Sequence, residues 1–249
     1  MPDSTPPSNL APSNLAPSDF APTERTRVRR LHERGRYDRE TVFAILDSGL
    51  LCHVGYVIDG LPYVTPTLYW REGERLYWHG SSASRMLRRQ AEGIPVCVTV
   101  SHIDGLVLAR SGFHHSLNYR AVMAFGNAAI VADPEAKTAG LNAFIERLYP
   151  GRNREIRPIS PQELKATTLM SMEIDEVSAK LRAHGPVDDE PDYTLDCWAG
   201  VVPVEMRLGA AIADERLKAG IPPLKGLDHL AEGGLLPEIL RILANRAQS

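Results

Sequence analysis

The residues best suited to chemistry lie in one short run, "LYWHGSSASRMLRRQ", Leu76 to Gln90. Two aromatics lead into His79, Gly80 breaks the run, and Ser81, Ser82 and Ser84 precede Arg85 and Arg88. The pattern predicts a strand giving way to a helix from about Ser82 to Glu92, closed by Gly93. A helix N-terminus offers unpaired N–H groups and a partial positive charge, and the serines add hydroxyl donors there. Arg85 and Arg88 are neighbours on one helix face, and guanidinium forks match phosphate oxygens at any working pH. That is the chemistry of a phosphate cradle; the plainer alternative is an N-capped surface helix with solvated arginines. The strands before it add Thr65 and Thr67 of "YVTPTLYW" and the rings of Tyr77 and Trp78. Apolar walls with a few polar groups suit a flat heteroaromatic ligand. Flavin mononucleotide (FMN) divides in that way, with its ring for the strands and its phosphate for the helix. Farther along, "HHSLNYRAV" supplies His114, His115, Asn118, Tyr119 and Arg120. Arg120 reads either as a second phosphate contact or as a cross-strand ion pair.

Those residues must be positioned by a fold, and composition allows one. The chain has 249 residues, 43% hydrophobic and 24% charged, which is ordinary for a globular protein with a full core. A net charge of -3 argues against a protein that binds nucleic acid by bulk charge. The cysteines Cys52, Cys97 and Cys197 form neither a CxxC pair nor an even framework, so a reducing cytoplasm is expected and a structural zinc is not. No apolar run approaches a membrane span, and the N-terminus lacks the apolar core of a signal peptide. Residues 1–24 carry the proline-punctuated repeat "PSNLAPSNLAPSDFAP", read as a disordered leader, with a docking tail as the alternative. Arg25 to Arg39 holds seven arginines interleaved with Glu33 and Asp38, a solvated, salt-bridged entry segment.

Asp38 is expected to cap a helix through "RETVFAILDSG", with Val42, Ile45 and Leu46 on one face. "LCHVGYVI" and "LPYVTPTLYW" read as strands joined by Asp59-Gly60, a strong hairpin signal, and "REGE" turns the second into "RLYWH". "IPVCVTVSHI" and "NYRAVMAFGNAAIVA" are two further strands. A helix starts at Asp133-Pro134-Glu135 and ends at Pro150-Gly151. "ATTLMSMEI" and "CWAGVVPVEMRL" add strands, and short amphipathic helices close the chain. Antiparallel strands with helices between them suggest a small decorated barrel, and the absence of GxGxxG and GxxxxGK[ST] disfavours Rossmann and P-loop folds.

From about Arg25 to Met206 the sequence resembles the pyridoxamine 5'-phosphate oxidase-like FMN-binding split-barrel proteins, and looks closest to the branch containing the nitroimidazole-resistance proteins. The resemblance is carried by "ERGRYDRETVFAILDSGLLCHVGYVIDGLPYVTPTLYW", "LYWHGSSASRMLR", "NYRAVMAFG" and "KLRAHGPVDDEPDYTLDCWAGVVPV". It implies a mainly β, α+β chain folded as a six-stranded-type split β-barrel, working as a homodimer with FMN at the subunit interface. It implies that Arg85 holds the phosphate, with Ser84, Arg88, Tyr119 and Arg120 nearby. It also implies that Thr65 and Thr67 line the ring, that Tyr77, Trp78 and His79 lie near ring or ribityl chain, and that Trp198 approaches the site. His79 matches the histidine implicated in activity in the nitroimidazole-resistance branch. Ala121 stands where relatives often carry a phosphate-contacting serine. The C-terminal "RILANRAQS" has no equivalent of the substrate segment of the vitamin B6 oxidases.

Among other constellations, the adjacent His114 and His115 would diverge on a strand, and His53, His79 and His102 lie on three separate strands without an acidic partner at metal-ligand spacing, so no metal site is expected. Haem is the alternative cofactor, with His79 or His114 as axial ligand. "PVDDEPDY" reads as a solvated acidic loop, and no GxSxG or HExxH motif occurs. The sequence therefore predicts a barrel over residues 25–206, with 207–249 as a C-terminal helical extension. The function expected is an FMN-dependent oxidoreductase acting on a small acceptor and electron donor, a nitro-compound reductase or a pyridoxamine-phosphate-oxidase-like enzyme. The alternatives are a non-catalytic flavin or haem carrier or sensor on the same barrel, and a cofactor-free interaction module using the arginine-rich arm.

Overall fold

The computed structural model describes residues 19–222 and 224–247; the repeat in residues 1–18 lies outside them. A 3-10 turn and the short strand β1 (Gly35–Arg36) lead into α1 (Arg39–Asp47). Asp38 caps α1 by accepting the Thr41 N–H at 2.8 Å, and Val42, Ile45 and Leu46 turn inward on one face. Strands β2 (Leu51–Ile58) and β3 (Leu61–Glu72) are joined by Asp59 and Gly60, whose φ angles are 52° and 77°. Two consecutive positive φ values give the turn whose twist matches the flanking strands, which is why Asp-Gly stands there.

The chain continues through β4 (Arg75–Ser81), α2 (Arg85–Gln90), β5 (Pro95–Leu108), β6 (Ser116–Asn127) and β7 (Ala129–Ile130). Then follow α3 (Pro134–Leu148), α4 (Pro161–Ala166), β8 (Thr167–Glu173), β9 (Glu176–Arg182), β10 (Gly200–Pro203) and α5 (Leu236–Ala247). The strands form one antiparallel sheet in the order β1-β9-β6-β5-β2-β3-β4-β8-β7, with β10 on β5. The ladder is open, and its curl comes from strands that change neighbours midway. β3 pairs with β2 as far as Leu68 and with β4 from Tyr69 onward. β6 runs through Ala128 into β7, and β8 runs through Ile174 and Asp175 into β9. Where these two bent segments cross, a Cβ at Gly126 would lie 2.2 Å from the Glu173 carbonyl oxygen, so only glycine fits. This is the expected mainly β, α+β split barrel.

Two apolar clusters lie on opposite sides of the β3–β4 pair. Inside the sheet, α1 packs on Val54, Tyr69, Leu76, Trp78, Val98 and Val122. Outside it, α3 and α5 cover Trp70, Leu169 and Tyr77 with Phe144, Leu148 and Leu240. One buried charge cluster ties the layers together. The Asp47 carboxylate accepts the Arg71 Nε–H at 3.2 Å and an Arg147 Nη2–H at 2.8 Å, and Arg147 also donates to the Arg71 carbonyl oxygen at 2.7 Å.

Some elements differ from expectation. Strands β1 and β9 and helix α4 are not among the expected elements: β1 is only two residues long, whereas β9 alternates Val177, Ala179 and Leu181 with polar residues and α4 starts on a Ser160–Glu163 capping box. β5 continues past Ile103, through an irregularity at Asp104, to Leu108. The expected leader boundary at residue 24 falls too late: Phe20 packs edge-on against Phe43 at 6.0 Å, and its N–H donates to the Tyr37 carbonyl. The C-terminal helix α5 buries Leu240, Leu243 and Ala244. Asp188, in the loop expected to be a solvated acidic segment, is buried and accepts the Arg110 backbone N–H at 2.9 Å.

Replacing Asp47 by alanine leaves two desolvated guanidinium groups facing each other. Loss of one member of a buried ionic cluster is expected to destabilise the fold by about 3–5 kcal/mol, read as a lower urea midpoint at unchanged m-value.

Candidate functional site

At the end of β4, Ser81 and Ser82 belong to the strand and a turn, and α2 spans only six residues, Arg85–Gln90, rather than the longer helix expected. Gly93, with φ of 82°, ends this region as expected. Ser84 occupies the cap position, but its side chain makes no capping bond. The helix is short because its anchor is one side: Leu87 is buried against Gly80, and Gln90 accepts the Trp78 indole N–H at 2.9 Å. The outer side is left to Arg85 and Arg88, both exposed, and neither has a carboxylate partner among the described residues. Arg89, by contrast, is paired with Asp59 and Glu92. Arg85 lies over the Tyr63 ring at 4.9 Å, Tyr63 stacks on Tyr56 at 5.6 Å, and the Tyr56 hydroxyl meets the Thr65 hydroxyl at 3.1 Å. Two unpaired guanidinium groups beside aromatic rings and a threonine suit a phosphorylated ring compound.

Strand alternation divides the remaining expected residues. Thr65 and Thr67 stand opposite Val54 and Cys52, on the barrel side of β3. Tyr77 and His79 point to the other face of β4, under α3, where Tyr77 stacks on Trp70 at 5.3 Å. The threonines and the histidine, expected in one lining, are therefore on opposite faces. Trp78 lies between them at 0% exposure, a core side chain rather than a ligand wall. Arg120 is held by Asp104 through Nε at 2.9 Å and Nη2 at 2.8 Å, which is the cross-strand ion pair. Tyr119 is half-buried beside it on β6. Trp198 is 65% exposed ahead of β10, against Gly200.

His79 lines a cavity of about 640 Å³ between β4, α3 and residues 153–163. Its walls are apolar (Leu141, Phe144, Ile145, Ile156, Ile159), with Asn142, Asn153 and Thr167 among them. The His79 ring lies 5.3 Å from Phe144 and 6.1 Å from Trp70. Its Nδ1 is sealed from solvent without a hydrogen-bond partner, and Nε2 likewise bonds to none of the described residues. Burial lowers the imidazole pKa below its usual value, so the ring is neutral at pH 7. At the lining, Arg157 holds Glu163 and brings its carboxyl pKa down to about 2. These α3 and 153–163 walls were invisible in the sequence, where a helix at this spacing signals only core. Among the described residues no three His, Cys, Asp or Glu side chains gather as a metal site, and no helix is long and apolar enough to cross a membrane.

The outward face of the sheet is apolar for a monomer. Leu51, Val57, Val64, Leu68, Ile103 and Met123 are all exposed on β2, β3, β5 and β6.

The antiparallel split barrel agrees with a family match: residues 38–181 match pyridoxamine 5'-phosphate oxidase, and the chain belongs to that family. Among solved structures, the flavocytochrome Anf3 from Azotobacter vinelandii is 42% identical over 86% of this chain and 100% of its own, with a TM-score of 0.80. The FAD and heme binding protein from Mycobacterium smegmatis is 36% identical over 82% of this chain and 98% of its own, with a TM-score of 0.75. A 5-nitroimidazole antibiotic resistance protein from Bacteroides thetaiotaomicron, described as putative in its own name, is 24% identical over 59% of this chain and 85% of its own, TM-score 0.48. No curated protein matches the chain.

Burial depresses the pKa of both His79 and His102. A histidine whose folded pKa lies below its unfolded value of about 6.5 contributes stability that is complete above that pH and is lost as pH falls toward the folded pKa. Unfolding free energy is therefore expected to decline on acidification from about pH 6.5, with the NMR titration midpoint of His79 below 6.5.

Proposed function

We propose that the protein is a flavin-dependent redox protein, built as a homodimer, that passes electrons from an electron donor to a small acceptor group. The observation that carries this reading is the pair Arg85 and Arg88, exposed and without carboxylates at the end of β4. Such groups fit a flavin phosphate, whether of FMN or of FAD, the flavin named for the Mycobacterium smegmatis relative. The flavin supplies hydride and single-electron chemistry when bound. The chain's own contribution is placement. Arg85 and Arg88 bind phosphate with the Ser84 hydroxyl, and Thr65 and Thr67 with their backbone set the ring edge. Tyr77 and His79 belong to the acceptor side of β4, and Tyr119, Arg120 and Trp198 border the partner subunit. A second copy of this chain would cover the apolar sheet face formed by Leu51, Val57, Val64, Leu68 and Met123 and remove it from water.

A haem as the acceptor group is the second reading, favoured by one observation of the chain itself: His79 offers a neutral imidazole with no hydrogen-bond partner at an apolar cavity. Two of the relatives above are named for haem as well as flavin.

The freshly purified protein is expected to show the paired flavin absorption bands, with FMN or FAD released on heat denaturation and identified by chromatography. Replacing Arg85 by alanine is expected to weaken flavin binding about tenfold to a hundredfold with an unchanged circular dichroism spectrum, the loss of a hydrogen bond to charge. Unchanged flavin affinity in the folded variant would remove Arg85 from the site.

A further inference from the structure

We propose that residues 209–222 are an arm that packs on a second copy of this chain. The inference rests on the homodimer reading and names the segment that reaches across the interface.

The arm is held at both feet. The Leu208 N–H donates to the Gly234 carbonyl at 3.0 Å, the Gly233 N–H returns to the Leu208 carbonyl at 2.9 Å, and the Leu236 N–H reaches the Met206 carbonyl at 3.0 Å. Arg207 adds a donation to the Gly233 carbonyl at 2.8 Å. Closer to α3, His229 Nε2 donates to the Leu148 carbonyl at 3.1 Å. Between these feet, residues 209–222 form neither helix nor strand, and every one of them is exposed. Within the arm, the Arg216 N–H donates to the Asp214 carboxylate at 2.8 Å and the Leu217 N–H to the Asp214 carbonyl at 3.0 Å, a local turn. Its apolar side chains face water: Ile212 is 95% exposed, and Leu217 and Ile221 are exposed with it. Such side chains on a segment pinned at both ends suit an interface anchor.

Continuity names the occupant. The apolar sheet face assigned above to the second copy does not stop at Met123. Strand β5 takes an irregularity at Asp104, so that Leu106 faces outward, as Ile103 does, while Val107 is buried. Register then sets Val202, Leu106 and Leu117 side by side across β10, β5 and β6, all three exposed. Past β10, Val204 and Met206 continue the exposed apolar run to the foot of the arm. A two-fold interface presents the same patch on both copies, so an arm that springs from its border reaches the other copy and receives that copy's arm in return. The chain from 209 to 222, pinned at both ends, can place its tip roughly 20 Å from its feet. Charge speaks against other occupants, because Asp214 and Glu215 are balanced by Arg216 and Lys218. A neutral arm holds no attraction for nucleic acid or an anionic membrane.

The test reads the arm with trypsin, for which Arg216 and Lys218 are cleavage sites. The full-length protein is digested briefly, the cuts are located by mass spectrometry, and association is measured by sedimentation equilibrium. The wild-type dimer is expected to be cut in the arm about tenfold more slowly than the monomer, obtained by dilution or by Met123→Asp on the sheet face. Ile212→Asp is expected to weaken the dimer about tenfold to a hundredfold with an unchanged circular dichroism spectrum, as for the loss of an interface anchor. A wild-type dimer cut as fast as the monomer, with Ile212→Asp associating as wild type does, would overturn the arm and leave the homodimer standing. An arm protected equally in the monomer packs on its own chain, and one protected only when anionic vesicles are added belongs to a membrane surface; either result overturns the proposal. A wild-type protein that stays monomeric at every concentration overturns the homodimer reading and the arm with it.

Discussion

One buried carboxylate sets the relative positions of three elements on which both candidate sites depend. Asp47 ends α1, Arg71 lies on β3 and Arg147 lies in the last turn of α3. None of these charges is left to water, so the geometry that satisfies all of them is narrow. Arg71 also lies over the Phe43 ring at 4.1 Å, which fixes it from the α1 side. Because α3 is held at its C-terminal end, Phe144, one turn earlier, is held over His79. The ion cluster, one turn along α3 from Phe144, therefore helps to fix this wall of the cavity together with the Phe144 contacts to Trp70 and His79.

Much of the barrel was legible because its signals are local. Asp38 at the start of α1, Asp59-Gly60 between β2 and β3, and Asp133-Pro134 at the start of α3 each state their geometry within four residues. The family itself was legible from four ordered blocks. The arrangement of the site was not, for a reason that lies in the strands. Reading "YVTPTLYW" and "LYWHG" together suggests one lining, but the β3–β4 register pairs Tyr69 with Trp78, which puts Thr65 and Thr67 on the face of Trp78 and His79 on the other. Composition alone does not mark that register. Trp78 reads as a wall for the same reason, and Arg120 has its partner in Asp104, sixteen residues away and across a strand pair. The length of α2 was overread because Ser81 and Ser82, good capping residues, are consumed by the strand and its turn.

The two sides of β3–β4 have different physical character. On the barrel side, the Tyr63–Tyr56 pair, Thr65 and Arg85 form a rim that is polar and open, suited to a charged ester and a ring edge. On the helical side, Tyr77, Trp70, His79 and Phe144 form an aromatic layer with one neutral imidazole. Only the thickness of one strand pair separates these two chemically different faces.

That economy has an evolutionary cost, which falls on β4. In a strand, inserting or deleting one residue turns every later side chain to the opposite face. Ordinarily the damage is to packing alone. Here Leu76 and Trp78 fill the barrel core while Tyr77 and His79 furnish the helical side, so such a change would exchange the tenants of the two compartments at a stroke. Changes in its length between Arg75 and Ser81 therefore disturb both faces at once, whereas a point substitution disturbs one. The same holds for the stretch of β3 that pairs with it. Divergent members built on this plan should differ freely in the loops that border the cavity, and keep the residue count between Gly73 and Gly80 unchanged.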